Sequence, residues 1–174
     1  MGKIFSSETG ALFLRLVVGL TFFYHGGQKM FGWFPSPGHP GGWDSTIQFM
    51  MGMSVAGHHI PQWLAMAVPI TEFVGGCCIL VGLLTRFWGA GLAINMIMAV
   101  VLVHGPACFG KNGELLSINV IVNQLTLPVL LWAMSMALFL GGPGKWYLAD
   151  IEGWALGVKG GGGGKSKAKK PKEE

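Results

Sequence analysis

Four long apolar stretches constrain the fold of this chain more than any other feature. They cover residues 9–30, 62–84, 87–105 and 118–141. A helix needs about 20 apolar residues to cross the hydrocarbon core of a bilayer, and each stretch is of this length. Only 11% of the residues are charged, whereas about 25% is usual in soluble domains. The sequence therefore predicts an all-α integral membrane protein built as a four-helix bundle.

The charges divide the chain into two parts, a four-span membrane domain over residues 1–150 and a basic tail over residues 151–174. The tail contains five consecutive glycines followed by a lysine-rich tract. Such a segment cannot bury enough apolar surface to order itself, so it is predicted to be disordered. It is either simply solvated or attracted to anionic lipid or an acidic partner. Nucleic-acid binding is not predicted, because no basic surface with stacking aromatics is evident in the membrane domain.

The distribution of lysine and arginine predicts the orientation in the membrane. An even number of spans places both termini on one side, together with the tail, Lys3 and the turn at Arg86. Cytoplasmic flanks carry an excess of these residues, so both termini are predicted to be cytoplasmic and the protein to lie in the inner (cytoplasmic) membrane. The first stretch is interpreted as a retained span and not as a signal peptide, because Arg15 interrupts it. The loops 31–61 and 106–117 then face outward.

The loop 31–61 is predicted to contain a short helix that begins at Asp44, with Asp44 or Ser45 as its N-cap. Its apolar side chains would lie on the membrane interface. These side chains are Trp43, Ile47, Met50 and Met51.

Ionisable side chains inside the spans are the first candidates for a functional site, because a charge at membrane depth is costly. Arg15 lies in the first span and Glu72 near the middle of the second. Glycines share a helix face with each of them, which predicts close packing of these two helices. Glu72 would then face Arg15 or His25. This contact is either an ion pair that locks the helices or part of a network that handles protons, electrons or a quinone-like ligand.

Further polar side chains gather toward the outer ends of the spans. They are His25, Lys29, His104, Glu114, Asn119 and Asn123. Quinone chemistry requires proton transfer, which titratable groups at depth would provide. Glu72, His25 and His104 are therefore predicted as catalytic, proton-handling residues. The residues predicted to contact a cofactor are Arg15, Lys29, Glu114, Asn119 and Asn123.

The same segments resemble a known family. They are LRLVVGLTFFYHGGQKMFGWF, ITEFVGGCCILVGLLTR, VLVHGP with the following Gly113-Glu114, and GPGKWYLAD, within residues 9–150. This pattern resembles the DoxX family of small four-helix membrane proteins. The resemblance implies a relation to membrane subunits of thiosulfate:quinone oxidoreductase and to terminal-oxidase-associated proteins. It departs after Glu114, where LLSIN replaces an expected Tyr-Pro. The residues at matching positions are Arg15, His25, Lys29, Glu72, Arg86, His104 and Glu114.

Two functions are compatible with these observations. The first is a redox-linked electron-transport subunit that contributes a quinone or proton-handling site. The chain lacks CxxCH, a Rossmann fingerprint and iron–sulfur cysteine spacing, so it would be at most one subunit of an oxidoreductase. The second is a non-catalytic accessory subunit that packs in a larger respiratory or photosynthetic membrane complex. In both cases the expected partners are membrane lipid and other membrane subunits, and quinone is the cofactor under consideration.

Metal handling is a third hypothesis for the outer loop. Its methionines and histidines offer soft and imidazole ligands of the kind that copper prefers, although methionines on such a helix are more often apolar contacts. No metal site is therefore predicted. The residues concerned are Met50, Met51, Met53, His39, His58 and His59.

Overall fold

A computed structural model describes residues 7–35, 41–55, 58–110, 112–144 and 147. The predicted tail, Lys3 and His39 lie outside these residues. Within the described parts the helices, in chain order, are α1 (Ser7–Phe31), α2 (Trp43–Met51), α3 (Gln62–Val81), α4 (Thr85–Ala99) and α5 (Ile118–Gly141).

Four of these helices are long and apolar enough to cross a membrane. They are α1, α3, α4 and α5. The span formed by α4 includes a π-helical continuation, Val100–His104. Short elements connect them: a hairpin of β1 (Ser54–Val55) and β2 (His58–His59), and a 3-10 turn, Pro106–Cys108. The predicted all-α membrane bundle is confirmed.

Helices α1 and α3 pack with their backbones in close approach, as the shared glycines predict. A Cβ atom added at Gly76 would lie 2.6 Å from the backbone nitrogen of Phe23 and 3.0 Å from the carbonyl oxygen of Gly19. A Cβ atom at Gly26 would overlap the backbone of Phe73. Only residues without a side chain allow two helices to approach so closely.

The start of α1 and the chain that follows α5 meet at the same end of the bundle. Arg15 Nη1 donates a hydrogen bond to the carbonyl oxygen of Pro143 at 3.0 Å, and Gly144 lies against the Glu8 carbonyl. We call this the terminal end, and the end that carries α2 and the hairpin the α2 end. The cytoplasmic side of the termini and the inner-membrane location stay predictions.

Helix α2 differs from its prediction in two ways. It begins at Trp43, preceded by Gly42 with a φ of 87°, and has no side-chain cap. The predicted cap was wrong because the Ser45 hydroxyl donates back to the carbonyls of Gly41 and Gly42 and does not accept from the helix.

The apolar face of α2 is also placed differently from its prediction. Ile47 and Met50 are buried against Ile60 and Ala65. These two side chains therefore pack inside the protein and not on the membrane interface, and they fix α2 against the start of α3.

Candidate functional site

A cavity of about 560 Å³ lies between the helices at the α2 end. Its walls are mostly apolar, with polar side chains among them, as is typical of sites for small molecules. The apolar side chains include Phe49, Met50, Met53, Val68, Met98, Leu102 and Leu127. The polar side chains are His25, Gln28, Lys29, Ser45, Thr46, Glu72, Asn95 and His104.

Glu72 is the acidic group of this cavity, and only 2% of it is exposed. Lys29 Nζ lies 2.6 Å from Glu72 Oε1 in an ion pair. Asn95 Nδ2 donates a second hydrogen bond to the same oxygen at 3.2 Å. Glu72 Oε2 is buried and has no hydrogen-bond partner among the described residues. One carboxylate oxygen is therefore held twice and the other is left without a donor.

The directions of the two helices explain why Lys29 and Glu72 meet. Side chains on a helix lean toward its N-terminus. α1 runs from the terminal end toward the α2 end, so Lys29 leans back into the bundle. α3 runs the opposite way, so Glu72 leans outward toward the α2 end. A lysine near the end of one span thus reaches a glutamate near the middle of its neighbour.

The two histidines enter the cavity from different helices. His25 precedes Lys29 by one helical turn on α1, and both line the cavity. His104 ends the π-helical continuation of α4, in which Gly105 N donates to the carbonyl oxygen of Val100. Its Nδ1 lies 3.4 Å from Gln124 Oε1 on α5. Such π segments are rare and occur frequently at functional sites.

Arg15 lies at the terminal end of the bundle, away from the cavity. It is 1% exposed and donates to the carbonyl oxygens of Ile79, Leu80 and Pro143, each at 3.0 Å. Of the two partners predicted for Glu72, Arg15 is therefore wrong, whereas His25 lines the same cavity as Glu72. Arg15 leans toward the start of α1, where it meets the last carbonyls of α3, and these need donors from outside their helix.

Of the other residues predicted to contact a cofactor, one lines the cavity and three do not. Lys29 lines the cavity, whereas Glu114, Asn119 and Asn123 are exposed and are not among the lining residues. The Glu114 carboxylate accepts a hydrogen bond from the Asn112 backbone at 3.1 Å.

Four polar lining residues were not identified from the sequence. Asn95 could have been found from the sequence, because it is an amide in the middle of an otherwise apolar span. In the structure only 7% of it is exposed. No sequence pattern marks Gln28, Ser45 or Thr46 as site residues. They share a cavity only because α2 folds back over the end of α1.

The histidine, cysteine and carboxylate side chains of the described residues do not gather into one cluster. Among them, no group of three or more histidine, cysteine, aspartate or glutamate side chains could hold a metal ion. His39 and the side chain of His58 lie outside the described parts. Cys77 and Cys78 are half-buried on α3, and Cys108 is buried with its Sγ 3.2 Å from the His104 carbonyl.

The fold and the cavity define a multi-pass helical membrane protein with a buried ion pair in its interior. The family model DoxX matches residues 10–105, and the chain belongs to the DoxX family. The resemblance seen in the sequence is thereby confirmed. The matched region contains His25, Lys29, Glu72, Asn95 and His104.

A relative in Bacillus subtilis (strain 168) bears the name "Putative oxidoreductase CatD". It is 32% identical to this chain over 109 residues, which is 63% of this chain and 70% of that protein. No solved structure matches the chain significantly.

Proposed function

We propose that this chain is a redox-linked membrane subunit whose cavity binds a quinone and exchanges protons with it. The proposal rests on the buried Glu72 carboxylate. One of its oxygens is paired with Lys29, and the other has no hydrogen-bond partner among the described residues. A carboxylate that served only to lock two helices would have no need of a cavity of about 560 Å³ lined also by His25 and His104. The oxidoreductase name of the Bacillus subtilis relative supports the same class of function.

The residues of the cavity suit the parts of a quinone. The volume of about 560 Å³ falls within the roughly 300–1,000 Å³ of small-molecule sites. Phe49, Met53 and Leu127 provide an apolar surface for a ring and an isoprenoid tail. The Lys29 ammonium and the His25 and His104 imidazoles provide donors for oxygen atoms at the ring.

The titratable groups give the site its chemical role. Interconversion of a quinone and a hydroquinone moves two protons as well as two electrons. The Glu72 carboxylate can accept and return a proton, and His25 and His104 can relay protons toward the α2 end, since imidazole and carboxylate groups are common general acids and bases. The electrons pass to or from a redox centre on a partner subunit, so this chain supplies binding, orientation and proton transfer.

Filling the cavity tests the proposal. We expect Met98→Trp to weaken binding of a short-chain benzoquinone at least tenfold, because Met98 lines the cavity and the added ring volume would occupy it. Met51→Trp is the matched control, since Met51 is 40% exposed on α2 and is not among the lining residues. Equilibrium dialysis of the detergent-solubilised protein measures both affinities.

Equal binding by the two variants would contradict the quinone site. If, in addition, the wild-type protein co-purified stoichiometrically with a large membrane complex and held no extractable quinone, the non-catalytic accessory role would be favoured.

A further inference from the structure

We infer that the cavity opens laterally to the lipid between α2 and α5, and that its ligand carries a long apolar chain that lies in this opening. The inference rests on the proposed quinone site and adds the class of ligand that the site accepts. This class is a lipid-soluble quinone, held with its ring in the cavity and most of its chain outside.

Two of the side chains that line the cavity reach the outer surface of the protein. Phe49 on α2 is 53% exposed and Leu127 on α5 is 50% exposed, and both line the cavity. Other lining residues are buried, with exposures of 2% for Glu72, 7% for Asn95 and 8% for Met50. Contact with the cavity alone therefore does not expose a side chain. Phe49 and Leu127 lie where the cavity meets the surface, and we call these two residues the rim.

The packing of α5 leaves room for an opening at this place. The buried residues of α5 are Pro128, Leu131, Ser135 and Leu138, and no residue from 118 to 127 is buried. The later part of α5 lies close to α4, since a Cβ atom added at Gly89 would be 3.0 Å from the Ser135 carbonyl oxygen. The earlier part of α5, which ends at Leu127, thus borders the cavity and not the packed core.

Helix α2 is held to the other side of the cavity. The Gly42 backbone donates to the Gln28 carbonyl at 2.9 Å, and the Thr46 hydroxyl donates to the Lys29 carbonyl. The buried face of α2 packs against Ala65 at the start of α3. These contacts attach α2 to α1 and α3, and the rim residues belong to α2 and α5. The opening therefore lies between α2 and α5.

The α5 side of the rim lies at the depth of the hydrocarbon core. Leu127 follows the start of α5 by about 14 Å, at 1.5 Å per residue, and α5 is long enough to span the membrane. The hydrocarbon core is about 30 Å thick, so Leu127 lies near its middle. The surface of α5 on either side is apolar, with Val122 51% and Leu130 53% exposed. An opening at this depth faces lipid chains and not water.

The size of the cavity and the chemistry of its rim indicate the kind of ligand. The cavity of about 560 Å³ has room for a molecule of drug size, so a long isoprenoid chain attached to a quinone ring must extend beyond it. Both rim side chains are apolar, and a chain that passes between them leaves no polar group buried without a partner. A lipid-soluble quinone can therefore bind with its chain still in the bilayer.

Binding of two quinones with the same ring tests the inference. Solanesyl-benzoquinone carries a chain too long for the cavity, and methyl-benzoquinone carries none. In lipid nanodiscs, Leu127→Trp should weaken binding of the solanesyl form at least about tenfold, because the indole overlaps the path of the chain. Binding of the methyl form should change by less than about twofold, since a small ring uses the opening only for passage, which alters rates and not affinity.

Leu130→Trp is the matched control, because Leu130 is equally exposed on the same helix and is not among the lining residues. It should leave both affinities unchanged. Each affinity is measured as the quinone retained by discs that contain protein, minus the quinone retained by empty discs of the same lipid.

An equal loss for both quinones in Leu127→Trp would overturn the inference, since the indole would then act inside the cavity. Unchanged binding of the solanesyl form, or the same loss in Leu130→Trp, would overturn it as well. Wild-type protein that bound the methyl form alone would overturn the lateral opening and leave the proposed quinone site standing. Failure to bind either form would overturn the proposed function too. If Leu127→Trp does not fold, similar wild-type affinities for both forms support the inference.

Discussion

Replacing Lys29 with methionine should lower the free energy of unfolding by about 3 kcal/mol. Glu72 is 2% exposed and the Lys29 side chain 34%, so the substitution leaves a buried carboxylate with Asn95 as its remaining donor. Removal of one partner from a buried ion pair typically costs about 3–5 kcal/mol, and the partial exposure of Lys29 places this pair at the lower limit. Unfolding of the detergent-solubilised protein by increasing SDS, followed by circular dichroism, measures the change.

A double-mutant cycle separates the ion pair from the loss of the lysine side chain itself. In a Glu72→Gln background no charge is left unpaired, so Lys29→Met should cost less than about 1 kcal/mol there. The same cost in both backgrounds would show that Lys29 stabilises the bundle through packing alone.

Replacing Arg15 with methionine should have an effect of similar size at the opposite end of the bundle. Its guanidinium is buried and donates to the carbonyls of Ile79, Leu80 and Pro143. The Ile79 carbonyl would keep a hydrogen bond from the Gly82 backbone at 3.1 Å. The other two would lose a charged donor, at about 1–3 kcal/mol for each buried group. We expect a loss of about 3 kcal/mol in the same unfolding assay, with a lower yield of folded protein.

Arg15→Lys is the matched variant for this prediction. Lysine keeps the charge but lacks the planar fork that reaches several acceptors at once. Its stability should therefore lie between those of the wild-type protein and Arg15→Met. If Arg15→Lys were as stable as the wild-type protein, the charge and not the geometry of the guanidinium would hold this end together.

The bundle itself could be predicted from the sequence because its determinants are local. Span length and apolar composition give the four long helices, since nothing else satisfies backbone polar groups inside a bilayer. The approach of α1 to α3 follows from glycines such as Gly26 and Gly76, which repeat on one face of each helix. These features need no knowledge of how the loops fold.

The partners of the buried charges depended on tertiary geometry that the sequence does not contain. The glycine faces of the first two spans predicted that Glu72 would meet Arg15 or His25. The lean of side chains toward each helix N-terminus, in two antiparallel helices, instead sends Glu72 and Arg15 to opposite ends. Lys29 becomes the partner of Glu72 for the same reason.

The shape of the cavity was also beyond a sequence argument. It requires the π-helical turn before His104 and the folding of α2 over the end of α1. The Thr46 hydroxyl bond to the Lys29 carbonyl joins these two helices across 17 positions of sequence. Asn95 is the one amide in its span, but only the folded bundle brings its side chain to Glu72.

If a quinone occupies the cavity beside Glu72, a photoreactive analogue should attach to the side chains that line it. Photolysis of a bound azido-quinone, followed by mass spectrometry of the labelled peptides, measures where the analogue binds. We expect attachment at cavity-lining side chains such as Met53 or Met98, with loss of the label when excess unmodified quinone competes. Labelling confined to exposed side chains on the outer face of the bundle, such as Ile94 or Leu130, would show that quinone partitions only into the surrounding lipid or detergent and would contradict the account.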